Sequence, residues 1–368
     1  MRADLPTRDN TKLYYFDHAS GTLPGDQELD DLRDMLLHYS ANQEAVHLEA
    51  YRVRKALETA KRRLLAQLVS DPDAYAVIPS DSGSTAISLL GSWDKMRGSV
   101  LTSKMEHPAV YAALRRAGSK ISYAENDKNG RIVLPDNSSD FDAVFFHHVQ
   151  SEIGVVQDIE KLFDKFPNAI KIADTVQSVG KFSLPRNADV CIVSGAKVGV
   201  PGAAALIVKK LHASKIETLA KDSRDTYTSS RQIVPFFLAM VNAVCRRAEN
   251  MEHRQKLAFL QEHLRKGLSE ISVNFTIEEK FSSPAICHLN FPGREGAVIV
   301  RLLSEDGVSV GSGSACSAES GEPSAALLAL GFKKREAFSG LRISFDVSNT
   351  AKEVDFLLEA LKKALKNY

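Results

Sequence analysis

A chain of 368 residues, 44% hydrophobic and 25% charged, has the profile of a folded globular protein with room for a large domain and a smaller one. Its 47 lysines and arginines against 46 aspartates and glutamates leave a net charge of +1, which forces no basic face and argues against a nucleic-acid partner. No apolar run approaches the roughly 18–20 residues of a membrane span, and the opening MRADLPTRDNTK is polar, so neither a membrane anchor nor a secretory leader is expected.

In chain order, 26–39 and 45–68 read as helices, the second through Leu57, Ala60, Leu64, Leu65 and Leu68 at helical spacing. AYAVIPS is a strand and 84–91 a helix; SVLTS is a strand and 108–117 a helix. AVFFHHV is a strand, 158–165 a helix and AIKIAD a strand; ADVCIVSG and AALIVKK are two more strands. Strands alternating with helices imply a mostly parallel sheet covered on both faces, with ligands at the carboxyl ends of its strands. A long helical stretch, 232–270, follows. AICHLNF then reads as a strand, 295–304 and 322–330 as helices and LRISF as a strand. A last helix opens at Thr350-Ala351-Lys352-Glu353, a capping-box spacing. The expected division is a large α/β domain over 16–245 and a smaller α+β domain over 246–368, with 1–15 packed against the latter.

Of the four cysteines, Cys191 and Cys287 lie in apolar strand-like runs and Cys245 in a helical one, and no two have C-x-x-C spacing. A reduced, cytoplasmic protein without a zinc site, other metal site or disulfide framework is expected. Cys316 differs, because it sits in a Ser/Gly/Ala-rich loop where an exposed thiol is a candidate nucleophile.

The loops at the strand ends carry the chemistry. PSDSGSTAIS runs from a strand into a helix, and Gly83, Ser84 and Thr85 could seat a phosphate on free backbone N–H groups and hydroxyls. His107 follows a strand and precedes a helix-starting proline. Asp174 ends an apolar strand, with Gln177 three residues on. Lys197 sits at the mouth of a glycine-containing turn between two apolar runs, where an amine can be desolvated and deprotonated. Pyridoxal 5'-phosphate needs a lysine to hold it, an acid for its ring nitrogen and a phosphate seat; it gains from a flat group on its ring and a donor to its phenolate. Lys197, Asp174, the 82–85 loop, His107 and Gln177 supply these parts.

FDHASGTLP, GSTAIS, EHPAVYAAL, HHVQSEIGVVQDI, DTVQSVGK, SGAKVGVPGAAAL and GSGSACSAESGEPSAALLALG together resemble the class V aminotransferase group of fold-type I pyridoxal-phosphate enzymes, and within it the cysteine desulfurases. The resemblance covers nearly the whole chain. It implies a mostly parallel seven-stranded sheet in the large domain, a homodimer, and conversion of L-cysteine to L-alanine with sulfur passed to Cys316 as a persulfide and then to an acceptor protein. It implies that Arg342 in GLRISF clamps the substrate carboxylate and that Ser194 and Gln150 lie at the cofactor. Four positions depart from the family. Ala196 stands where a histidine is usual, and Gln150-Ser151 where two asparagines are usual. RDTYTSSRQIV replaces the segment that reaches the partner's phosphate, with Tyr227, Thr226 or Thr228 as the donor. His18 stands where an asparagine is usual, and is expected near the substrate, taking over part of the role lost at Ala196. Another class V enzyme, such as a selenocysteine lyase, epimerase or aminotransferase, and a non-catalytic sulfur-transfer scaffold, are the alternatives.

Overall fold

The structure, a computed structural model, describes residues 13–135, 140–222, 233–271, 273–313 and 322–368. Tyr227 and Cys316 therefore lie outside the described residues.

Among the described residues the central sheet has eight strands. Its order is Tyr75–Ser80, Ala204–Lys209, Val190–Ser194, Ile170–Asp174, Ala143–His147, Ser99–Ser103, Lys120–Asn126 and Ile132–Val133. The five strands from Val190–Ser194 to Lys120–Asn126 pair in parallel; Ala204–Lys209 is antiparallel to both neighbours, and Ile132–Val133 closes the far edge antiparallel. The eighth strand, one more than the expected seven, is that two-residue edge piece.

Alternate side chains of a strand point to opposite faces. Val190 and Ile192 join one buried cluster, Cys191 and Val193 the other. The first face is covered by helices Gly83–Leu90, Pro108–Ala117 and Lys210–Asp222, through Ile87, Leu90, Val110, Leu114 and Ile216. The second is covered by Leu48–Leu68 and Ile233–Glu249, through Val53, Leu64, Phe237 and Val244. Burial on both faces explains why the central strands read as continuous apolar runs.

Beyond this layer the 232–270 stretch is two helices, Ile233–Glu249 and Met251–Leu268, because the Asn250 side chain accepts the Glu252 N–H at 3.0 Å and caps a new start. Asn274–Phe275, Ile286–Asn290 and Gly340–Ser344 form a three-stranded antiparallel sheet. Its core includes Leu289, Leu341 and Ile343 with Leu260 and Leu264 of one helix and Leu357 and Leu361 of helix Ala351–Asn367. That last helix starts in the expected capping box: Glu353 N–H donates to Thr350 Oγ1 at 3.3 Å, and Thr350 N–H to Glu353 Oε2 at 3.0 Å. Tyr14–Tyr15 pairs in parallel with Val308–Ser309, and Phe16 is buried in this same core. The chain then crosses to the large sheet through 17–22, which brings that loop over the strand ends.

Candidate active site

Strands Ser99–Ser103, Ala143–His147, Ile170–Asp174 and Val190–Ser194 run parallel, so their carboxyl ends share one edge. A cavity of about 350 Å³ opens there, within the size range of small-molecule sites. Each strand end delivers a polar group to it.

Lys197 follows Val190–Ser194 on a single 3-10 turn. Gly195, at the start of that turn, has no room for a side chain: a Cβ would strike the Val200 carbonyl. The Lys197 ammonium donates to Ser20 O at 2.7 Å. Burial, with the positive charges of Arg342 and Lys181 nearby, lowers its pKa to about 8. That leaves about one neutral amine in ten at pH 7, a usable nucleophile and base.

Asp174 ends its strand and accepts the Val176 N–H at 3.0 Å. Burial, and secondarily the charge of Glu106, raise its pKa. Gln177, one turn on, donates one amide hydrogen to Ala19 O at 2.8 Å and so ties the 17–22 loop to the sheet.

His107 caps helix Pro108–Ala117. Its Nδ1 accepts the Ala109 N–H at 3.2 Å, which assigns the ring proton to Nε2. Burial is the largest cause lowering its pKa, with Lys197 adding to it, so the ring is held neutral with one donor.

At the phosphate-seat loop Ser82 is the cap of helix Gly83–Leu90, accepting the Thr85 N–H at 3.1 Å. Gly83 and Ser84 line the cavity beside Ser194, while Thr85 does not: its N–H donates to Ser82 Oγ, and its hydroxyl shares a 2.8 Å hydrogen bond with the same oxygen. A Cβ on Gly83 would meet Val176 at 3.3 Å and Ser194 at 3.6 Å, so glycine lets this helix start sit against the strand end.

Across the cavity, Arg342 is 2% exposed. Its Nη1 donates to Ser151 O at 2.9 Å, and its Nη2 to Asp17 Oδ1 at 2.7 Å and Ser20 Oγ at 2.6 Å. Gln150 lines the wall, but much of its amide is committed: Oε1 accepts the N–H groups of Glu152 and Ile153, each at 2.7 Å, and Nε2 donates to Met105 O at 3.2 Å. Its second amide hydrogen is what it can offer a ligand.

Like Thr85, His18 is an expected residue that the structure does not bring to the cavity wall. The backbone of 17–22 turns Ala19 and Ser20 inward, while His18 is buried behind them, its Nε2 3.2 Å from Tyr15 O and its ring edge-on to Tyr15. Burial lowers its pKa. Ala196 does line the cavity, and its carbonyl accepts the Thr22 N–H at 2.8 Å. Residues that the sequence reading did not single out also reach the wall: Ser20, Glu106, His147 and Glu152. Glu106 and His147 open the quoted EHPAVYAAL and HHVQSEIGVVQDI stretches, where no role was assigned to them.

The donor set suits pyridoxal phosphate. A half-buried amine, a carboxyl group disposed to hold a proton, a neutral flat ring and a helix start face one enclosure. Among the described residues no cluster of three or more His, Cys, Asp and Glu could hold a metal ion. No helix of the described residues is long and apolar enough to cross a membrane.

The fold carries a lysine, an acid, a histidine and a helix start at the carboxyl ends of its parallel strands, the layout that the class V resemblance implies. The sequence profile of the Aminotransferase class-V family matches residues 14–232 and 237–357, and the chain belongs to that family. Similar curated proteins include the cysteine desulfurase IscS of Pectobacterium carotovorum subsp. carotovorum, 28% identical over 87% of this chain and 83% of that protein. The cysteine desulfurase IscS of Clostridium botulinum strain Hall is 25% identical over 96% of this chain and 95% of its own. Among solved structures, the NifS-like protein of Rickettsia africae superposes with a TM-score of 0.83 at 21% identity, covering 96% of this chain and all (100%) of that one. The apo cysteine desulfurase of Thermococcus onnurineus gives 0.78 at 18% identity, over 97% and 95%. At these identities the two structures speak to the fold.

Proposed function

We propose that this protein is a pyridoxal-phosphate-dependent cysteine desulfurase. The observation that carries the reading is that Lys197, Asp174, His107 and Arg342 border one cavity: a lowered-pKa amine, an acid, a flat ring and a carboxylate clamp. The relatives named cysteine desulfurase IscS support the choice of reaction.

Pyridoxal phosphate, when bound, supplies the electron sink for cleavage at the substrate's carbons. Lys197 would hold it covalently and, once released, move the proton at the substrate Cα. Asp174 would face the ring nitrogen, and His107 would lay its neutral imidazole against the ring. Gly83, Ser84 and Ser194 would cradle the phosphate, while Gln177 and Gln150 each have one amide hydrogen to give. Arg342 would take the carboxylate of L-cysteine. The Cys316 thiolate would attack the substrate sulfur; the S–S bond of a persulfide forms as the C–S bond breaks, and the carbon skeleton leaves as L-alanine after protonation. Sulfur then passes to an acceptor thiol.

We also propose a homodimer, with Tyr227 or a neighbouring hydroxyl reaching the partner's phosphate seat. Large apolar side chains at Leu23, Leu29, Leu36, Leu37, Val46, Leu48 and Tyr51 are exposed on one stretch of chain, a density that favours a covered surface. The buried cluster that runs to Cys245 and the one built mainly from Leu257 onward support a domain division at about 245/246. Burial of Cys191, Cys245 and Cys287 in those cores fits a reducing, cytoplasmic setting.

The test is incubation of the protein with pyridoxal phosphate and L-cysteine. Equal amounts of alanine and transferable sulfur are expected, with a visible absorption band that Lys197→Ala removes. Release of sulfur by Cys316→Ser at the wild-type rate would favour a lyase instead.

A further inference from the structure

Two buried titratable groups sit beside Asp174. The side chain of Glu106 is 0% exposed and that of His147 4%. Glu106 lies in the loop after Ser99–Ser103, and His147 ends the next strand, register-paired with Asp174. All three border the cavity.

The hydrogen bonds assign the protons. Gln157 Oε1 accepts the Ile132 N–H at 3.0 Å, so Nε2 is its NH2 end. That group donates to Gly130 O at 2.9 Å and to His147 Nε2 at 3.1 Å. His147 Nε2 is therefore an acceptor, its ring proton is on Nδ1, and it donates to Glu106 Oε1 at 2.8 Å. Ser103 Oγ donates to the same oxygen at 2.8 Å. Both donors are neutral, so they orient the Glu106 carboxylate without cancelling its charge. Its second oxygen, Oε2, is buried and has no partner among the described residues. Such an orphan is costly to bury unless the site uses it.

We propose that Glu106, oriented by His147 and Ser103, is a positioning residue whose negative charge keeps a proton on Asp174 in the cofactor-free protein and, where a ring nitrogen faces Asp174, holds the one proton that the two groups share. Two carboxylates in one buried pocket cannot both ionise freely. The other charged or titratable groups facing Asp174 are His107 at the helix start, His147 and, beyond the turn, Lys197. The effect on Asp174 stands on the protein alone; its use by a cofactor rests on the reading above.

Glu106→Gln is the direct variant, because glutamine keeps an oxygen for both donors and loses only the charge. The measurement is a carboxyl carbon NMR titration of the cofactor-free protein, with the Asp174 signal assigned by Asp174→Asn. In the wild type Asp174 is expected to titrate above the ordinary carboxylate range, and Glu106→Gln to lower its midpoint by roughly one unit or more. Glu106→Asp, which keeps the charge, is expected to stay near the wild type. An ordinary midpoint in the wild type overturns the proposal even if the glutamine variant does not fold, as does an unchanged midpoint in that variant. In the protein loaded with pyridoxal phosphate labelled at the ring nitrogen, the same variant is expected to lose the nitrogen's proton at lower pH. Failure of the wild type to bind the cofactor would overturn the functional reading and leave the Asp174 titration to decide this one.

Discussion

Arg342 donates to Asp17 across the fold, Nη2 to Oδ1 at 2.7 Å, although 325 residues separate them. Gly311 is the surface behind the pair: a Cβ there would fall 2.9 Å from Arg342 Nη2 and 3.0 Å from Asp17 Oδ1. Asp17, Ser20 and the Ser151 carbonyl hold the guanidinium in place, and on the proposed function a substrate carboxylate would meet it there. Lysine cannot reproduce that fork. Arg342→Lys is expected to raise KM for L-cysteine roughly tenfold or more, about 1.4 kcal/mol, with a smaller change in kcat. Steady-state kinetics check it; an unchanged KM would remove Arg342 from substrate binding.

Gly311→Ala tests the same geometry from behind. The added methyl group would push the Arg342–Asp17 pair, so KM is expected to rise while cofactor binding holds. Gly293→Ala is the control, because its Cβ would meet nothing within 4 Å; its φ of +78° gives it backbone strain alone. Equal KM values for the Gly311 variant and the wild type would show that the pair can shift without cost to substrate.

Lys197 carries a penalty that pH can expose. Its folded-state pKa, about 8, lies below the ordinary lysine value of 10.5. Between those values the unfolded chain binds more protons than the folded one, so this residue's contribution to stability rises with pH over that window, and its destabilising effect is full below it. Cofactor-free Lys197→Met is therefore expected to melt higher than the wild type at pH 7, with the gap closing above pH 8. Thermal melts across pH 7–10 read this directly. A gap independent of pH would mean the gain comes from packing.

Much of this site was legible in the chain because each part is local. Lys197, Asp174, His107 and Gly83 sit where an apolar run stops and a turn or helix begins, and such junctions can be read residue by residue. His18 shows the limit. Nothing in FDHASG tells which of neighbouring side chains turns toward the strand ends, and the fold turns Ala19 and Ser20 there instead. The Arg342–Asp17 and Glu106–His147 contacts join residues 325 and 41 apart, with no pattern between them. Strand Lys120–Asn126 escaped notice because it lies near the sheet edge, with only Ala124 fully buried.

His18 gives a prediction in its own right. It is buried and does not border the cavity. His18→Asn is expected to leave the pH–rate profile and kcat within about twofold of the wild type. Loss of a near-neutral ionisation from that profile would restore His18 to the chemistry.

The most direct test of the proposed function is mass spectrometry of the whole protein, loaded with pyridoxal phosphate and treated briefly with L-cysteine. The account predicts a gain of one sulfur atom, reversed by a reducing thiol, located on the peptide containing Cys316, and absent from Cys316→Ser and Lys197→Ala. Sulfur release from cysteine with no protein-bound sulfur at Cys316 would contradict it.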